Sequence, residues 1–209
     1  MRILNLGLGV SGADGEWLIF EFWLLFPMLE SLSNDEVPML ESPRLRLRGY
    51  RLDDFPACRA MLADPGVTRF LGGRPLTEEE AWNKFLRNAG FWPVLGFGFW
   101  ILEEKSTGAF VGEAGLGCFS RQISPPVENL REAGWVLASC MHGKGYGTEA
   151  VRAVLAWSDS RFPDPRTICL IHPDNRASLR VAEKCGFREW FRASYKDQPA
   201  SILLRTPSR

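Results

Sequence analysis

Between Val136 and Ala150 the chain passes from an apolar run, through a turn with three glycines in five positions, into a helical pattern. The glycines are Gly143, Gly145 and Gly147, and Ala150, Val151, Val154 and Leu155 share one face of the helix that follows. Glycine leaves backbone N–H groups uncovered, and a helix N-terminus adds unpaired donors and the positive end of its dipole. A strand, a glycine turn and a helix in that order form a place for phosphate. The ligand expected is a phosphorylated cofactor.

Two common phosphate fingerprints fail here. The glycines fall as G-x-G-x-G and not as the G-x-G-x-x-G that a dinucleotide fold requires. Gly143-Lys144-Gly145 also lacks both the spacing and the Ser/Thr of a mononucleotide P-loop.

At 209 residues and 45% hydrophobic content, the chain suits one well-buried domain. A formal net charge of zero implies no general attraction to nucleic acid or to an anionic membrane surface, so neither is expected as a partner. Five cysteines, scattered in apolar segments with no C-x-x-C pair, argue against a disulfide framework and fit a reducing cytoplasm. Two histidines, His142 and His172, stand at no recognised ligand spacing, so no metal site is expected.

Residues 1–38 differ from the rest. Trp17 to Phe26 is apolar but too short for a bilayer, which takes roughly 20 residues, and its flanks do not form a secretory signal. The segment reads as an extension packing against the domain or a second subunit, which leaves room for a homodimer. The alternative is a stretch upstream of the natural start, since Met39 would begin the ordered pattern of 39–209. Ser31 to Pro38 is the linker in either case.

From Arg44 the alternation of Leu45 and Leu47 with Arg46 and Arg48 predicts a strand. A short helix is expected from Asp53 until Asp64-Pro65-Gly66 ends it. Thr77 and Glu80 form a capping box for a helix expected to stop near Gly90. Strands are expected over 98–104, 109–119, 132–138 and 167–171, the last apolar throughout as befits burial on both faces. Asn175 should cap a helix carrying Ala177, Val181 and Ala182 inward, with Gly186 as its stop, before two closing strands. The fold class is a mixed α/β or α+β sheet domain, mostly antiparallel and flanked by helices.

His142-Gly143-Lys144-Gly145-Tyr146-Gly147 resembles the pyrophosphate loop of the GNAT N-acetyltransferases, usually [Q/R]-x-x-G-x-[G/A]. Asn175-Arg176-Ala177-Ser178 followed by Glu183-Lys184-Cys185-Gly186-Phe187 resembles that family's second signature, in the expected order. The similarity runs from about Leu40 to Arg205, nearest to the branch that acetylates ribosomal-protein N-termini (RimJ/RimL-like). It implies acetyl-CoA as cofactor, a sheet splayed at the cofactor strand, and direct transfer of an acetyl group to a primary amine of a small molecule or protein N-terminus. It further implies that backbone donors of Gly143, Lys144, Gly145, Tyr146 and Gly147, the Thr148 hydroxyl and the neighbouring His142 meet the diphosphate. By the same resemblance, a backbone N–H near Val136 or Leu137 polarises the carbonyl, and Asn175 contacts the pantetheine chain.

Proton transfer is less constrained. Glu132 and Glu113 each interrupt an apolar run, where a carboxylate is costly and its pKa often raised, as suits a base. Glu132 matches the family's acidic position better, though either residue could instead face solvent or pair with an arginine. The tyrosine that protonates the thiolate in many relatives is Ala182 here, and Ser178 is the substitute, otherwise a packing residue. His142 replaces the usual Gln or Arg, and Ser139 a frequent proline. These departures keep a rival open, a CoA-binding regulatory protein with weakened catalysis. Cys140, with no positioned histidine and acid pair, reads as an ordinary loop cysteine and not as a nucleophile.

Overall fold

Alternation decides the first strands. In the computed structural model, which describes residues 37–127 and 130–207, Leu45 and Leu47 are fully buried while Arg46 is exposed. They lie in β2 (Leu45–Arg48), which pairs antiparallel with the short β1 (Leu40–Glu41) and with β3 (Phe99–Glu104). The meander continues through β4 (Phe110–Gly117) and β5 (Arg131–Leu137). A parallel crossover leads to β6 (Thr167–Ile171), and the hairpin β7 (Arg188–Tyr195) and β8 (Gln198–Arg205) closes the sheet by placing β8 against β6. The result is an eight-stranded sheet in the order β1-β2-β3-β4-β5-β6-β8-β7, mixed and mostly antiparallel.

Helices cover both faces. On one side lie α1 (Phe55–Leu62), the short α2 (Pro65–Thr68) and α3 (Glu78–Leu95), over a core that includes Tyr50, Cys58, Phe85, Phe99 and Ile101. On the other lie α4 (Tyr146–Arg161) and α5 (Arg176–Lys184), with Val151, Val154, Leu155 and Ala182 packed among Leu47, Trp100, Leu116 and Leu137. Side chains of β5 alternate between these layers: Val136 packs with the α1–α3 side and Leu137 with α4.

Four expectations need correction. Asp64-Pro65-Gly66 ends α1 but also starts α2, with Asp64 as N-cap accepting from Gly66 N–H at 2.7 Å. The helix after Thr77 has its capping box yet does not stop at Gly90, running on to Leu95. Trp92 explains this: it is buried edge-on to Trp100, 4.7 Å between ring centres, with its indole N–H donating to Phe99 O at 2.9 Å, so tertiary packing outweighs glycine's cost. Gly96, left-handed at φ +71°, then supplies the stop. Cys118 and Phe119 lie past β4, because its register with β5 ends at Gly117 opposite Glu132. Ala177 is exposed, and Leu179 joins Val181 and Ala182 in facing the core.

The apolar run 17–26, and all of the extension but its last two residues, lie outside the described residues. Val37 packs on the core, and Pro38 O accepts from Trp100 Nε1 at 2.7 Å. No helix among the described residues is long and apolar enough to cross a membrane.

Candidate active site

β5 and β6 pair only at their first residues, Arg131 with Thr167 and Glu132 with Ile168. Beyond them β5 keeps β4 and β6 keeps β8, so the two strands part and leave a gap that widens toward Leu137 and Ile171. Ala138 N–H donates to Val111 O at 3.0 Å. Because strand donors alternate in direction, the N–H groups of Trp135 and Leu137 point into the gap while that of Val136 points at β4. Of the two positions the sequence leaves open for a carbonyl-polarising donor, Leu137 has the required orientation.

The glycine turn closes the upper end of the gap. Gly143 and Gly145 are left-handed at φ +75° and +85°, and α4 begins at Tyr146. Glu149 N–H is the first to find a carbonyl, that of Gly145, at 3.2 Å. Among the described residues no acceptor takes the N–H groups of residues 143 to 148, so successive donors fan out at a helix N-terminus. A diphosphate needs such a cradle, and the residues present fit one. The loop is held from behind. Arg44 donates to Lys144 O at 2.9 Å, lies 4.5 Å from the ring centre of Tyr146, and locks Glu149 through Nε and Nη2 at 2.8 and 2.7 Å. Tyr146 turns its ring inward and donates its hydroxyl to Glu104, so only its backbone faces the cradle. His142 is exposed, but its ring folds back on the end of β5: Leu137 O, which can only accept, lies 2.9 Å from its Nε2, so that nitrogen carries a proton.

On the α1–α3 side both candidate carboxylates are buried and paired. Arg121 grips Glu132 with Nε and Nη2, each at 2.7 Å, and is itself flanked by the rings of Phe119 and Tyr195, both 4.6 Å away. Burial pushes the Arg121 pKa down, but the hydrogen bond and charge of Glu132 outweigh it and leave the guanidinium above its usual value. Glu113 sits opposite Val136, accepts from Tyr50 Oη at 2.7 Å and Asn88 Nδ2 at 3.3 Å, and contacts the Lys84 ammonium. Burial holds Lys84 below the usual lysine range and Tyr50 above the usual phenol range. Glu132 borders a cavity of 410 Å³ with Gly117, Phe119, Arg121 and Ile168.

The far lip of the gap carries the second signature. Asn175 caps α5 by accepting from Ser178 N–H at 3.1 Å, leaving its amide N–H groups for other use. Ser178 is half-buried one turn later, and Ala182 is fully buried, with no hydroxyl at that position. Just past β6, His172 accepts from Asp174 N–H at 3.1 Å and lies 5.3 Å from Phe70 between ring centres. The segment after α1 thus touches both lips, since the Ser139 hydroxyl, ahead of Gly66 N–H, holds the Asp64 carboxyl below its usual range. Arg44, Arg121, Lys84 and Phe70 escaped the sequence reading. The one usable signal was that buried Glu132 and Glu113 require cationic partners, without saying which. Among the described residues no group of three or more His, Cys, Asp or Glu side chains is arranged to hold a metal ion.

Comparison with known proteins agrees with this geometry. Residues 44–188 match the acetyltransferase (GNAT) domain. The uncharacterized protein YkkB of Bacillus subtilis is 34% identical over 154 residues, spanning 70% of this chain and 83% of that protein. A putative GnaT-family acetyltransferase from Bordetella pertussis superposes with a TM-score of 0.71 at 32% identity, covering 81% of this chain and 99% of that one. A putative ribosomal-protein-serine acetyltransferase from Vibrio cholerae shares the fold, at TM-score 0.63 and 19% identity over 81% of this chain and 98% of that one.

Proposed function

We propose that this chain, which belongs to the GNAT acetyltransferase family, moves the acetyl group of acetyl-CoA to a primary amine, on a small molecule or a protein N-terminus, by direct attack. It is an acyltransferase, and acetyl-CoA is its donor. The observation that carries the reading is the run of acceptor-free N–H groups from Gly143 to Thr148 beside the parted strands. An anion at a helix N-terminus gains about 0.3 to 1 kcal/mol per charge when exposed, so several aligned donors are needed, and the loop offers them.

The donor supplies an activated thioester carbonyl; the chain supplies position and protons. Gly143 to Thr148 would hold the diphosphate, and the free amide of Asn175 the pantetheine arm. Leu137 N–H would meet the charge that grows on the carbonyl oxygen, where a preorganised donor is worth most. Glu132, held in place by Arg121, would take the amine's proton directly or through a water. Ser178 would give a proton to the departing sulfur.

Ala182 favours a second reading, a CoA-binding regulator with weakened catalysis, since it is fully buried and offers no hydroxyl. Thiol release from acetyl-CoA in the presence of an amine panel decides between them. The enzyme produces free thiol that depends on the amine, whereas the regulator binds CoA without it. All five cysteines are unpaired, which supports a cytoplasmic place for the reaction. Residues 1–38 belong to this reading as an extension of the domain 39–209, available to a second subunit.

A further inference from the structure

Charge around the cavity beside Glu132 does not balance. Arg121 is committed to Glu132 through both its donors in that direction. A second guanidinium, Arg87 of α3, does not line the cavity but stands against one of its walls, 5.3 Å from the ring centre of Phe119, whose ring also lies 4.6 Å from Arg121. Arg44, Arg48 and Arg205 each lock onto carboxylates at 2.7 to 2.8 Å. Arg87 has only a 3.3 Å contact with its neighbour Asn88, and no Asp or Glu pairs with it among the described residues. Two guanidinium groups thus share the Phe119 ring, and only one of them, Arg121, has a carboxylate partner among the described residues. Partial burial, and then the like charge of Arg121, hold the Arg87 pKa below its usual value, although Arg87 itself stays open to solvent. Such an arrangement favours an anion and repels a polycation.

Building on the acetyltransferase reading, we infer that the acceptor amine carries a carboxylate of its own, received by Arg87 across the Phe119 wall of the cavity that Phe119, Arg121 and Glu132 line. The cavity, at 410 Å³, has the volume of a small-molecule site and lies where β5 begins, with Glu132 and its register partner Ile168 in its wall. An amine entering there meets Glu132, and its carboxylate the unpaired guanidinium. Amino acids and their close relatives have this chemistry. Polyamines and amino sugars lack the anion and would add to the excess charge.

The test compares free amino acids with their own amides, and with a diamine, as acceptors of acetyl-CoA. The expected kcat/KM for acids exceeds that for the matching amides by about tenfold or more. In R87A this ratio falls to about one, chiefly through KM for the acid, and R87K recovers part of it. Thermal stabilisation of the CoA complex by the same acids, lost in R87A, is the second readout. Preference for amides or the diamine, or equal losses for acids and amides in R87A, overturns the inference and leaves the enzyme reading standing. So does the absence of both turnover and stabilisation with every carboxylate-bearing amine while CoA still binds. Failure to bind CoA at all sinks the acetyltransferase reading itself.

Discussion

Glu132 and Arg121 meet face to face, one 2.7 Å contact to each carboxylate oxygen, where β5 begins to part from β6. The pair gives a buried carboxylate the cation that burial requires and fixes its orientation at the start of the gap. Replacing Glu132 by Gln should lower kcat by about 100-fold or more and leave the KM for acetyl-CoA within about twofold. Replacing Arg121 by Ala strips the buried carboxylate of its only cationic partner among the described residues, so kcat should fall by about 10-fold or more and the fold should lose stability. Steady-state kinetics and thermal denaturation check both.

The phosphate loop should be sensitive in two distinct ways. At Gly145 an added side chain meets a left-handed φ of +85° and a Cβ position 3.4 Å from Arg44 Nη2. The Gly145→Glu side chain enters on the Arg44 side, where it competes with Glu149 and Lys144 O for the guanidinium that holds the loop, so CoA affinity should fall by about 100-fold or more. Gly143 has open space around its Cβ position, and Gly143→Ala should show only the strain of φ +75°, about 1 to 2 kcal/mol of stability. Calorimetric titration and thermal denaturation separate the two.

Glu149 ties the start of α4 to the first strands, accepting from Ser42 and from Arg44 N–H at 2.7 Å each besides its ion pair. Burial pushes its pKa up, but these hydrogen bonds outweigh it and leave the carboxyl below the ordinary 4.5. A depressed folded pKa means that the unfolded chain binds more protons between the two values. Glu149's contribution is therefore present above pH 4.5 and lost as pH falls through the lowered value. Glu149→Gln should cost about 1 to 2 kcal/mol at neutral pH, discounted because Arg44 is partly exposed, and the gap to wild type should close in acid. Denaturant unfolding at several pH values measures it.

Ser178 separates capping from chemistry. Its N–H serves the Asn175 cap and survives substitution, so Ser178→Ala should keep the fold and the acetyl-CoA KM. If the hydroxyl protonates the leaving sulfur, kcat falls by about 10-fold or more. An unchanged kcat removes Ser178 from the mechanism.

Much of this was readable in the chain because it is local. The glycine spacing at 143, 145 and 147, the capping box of Thr77 and Glu80, and the Asn175 cap depend on neighbours within a few residues. What escaped is long-range. The gap exists because β5 shares only two register pairs with β6, and nothing within either strand announces where pairing stops. The extension of α3 past Gly90 rests on Trp92 meeting Trp100 of β3 and Trp157 of α4, contacts made between separate elements. The partners of Glu132 and Glu113 come from a loop and a helix, so the need for a cation was visible while its identity was not.

Amide NMR of the isotopically labelled protein titrated with CoA tests whether main-chain donors hold the diphosphate. Resonances of residues 143 to 148, which have no acceptor among the described residues, should shift and saturate with the binding isotherm, together with Leu137 once the acetylated form is used. Binding of CoA that leaves these amides unmoved, or no binding while another nucleotide displaces them, would contradict the assignment of this turn as the coenzyme's cradle.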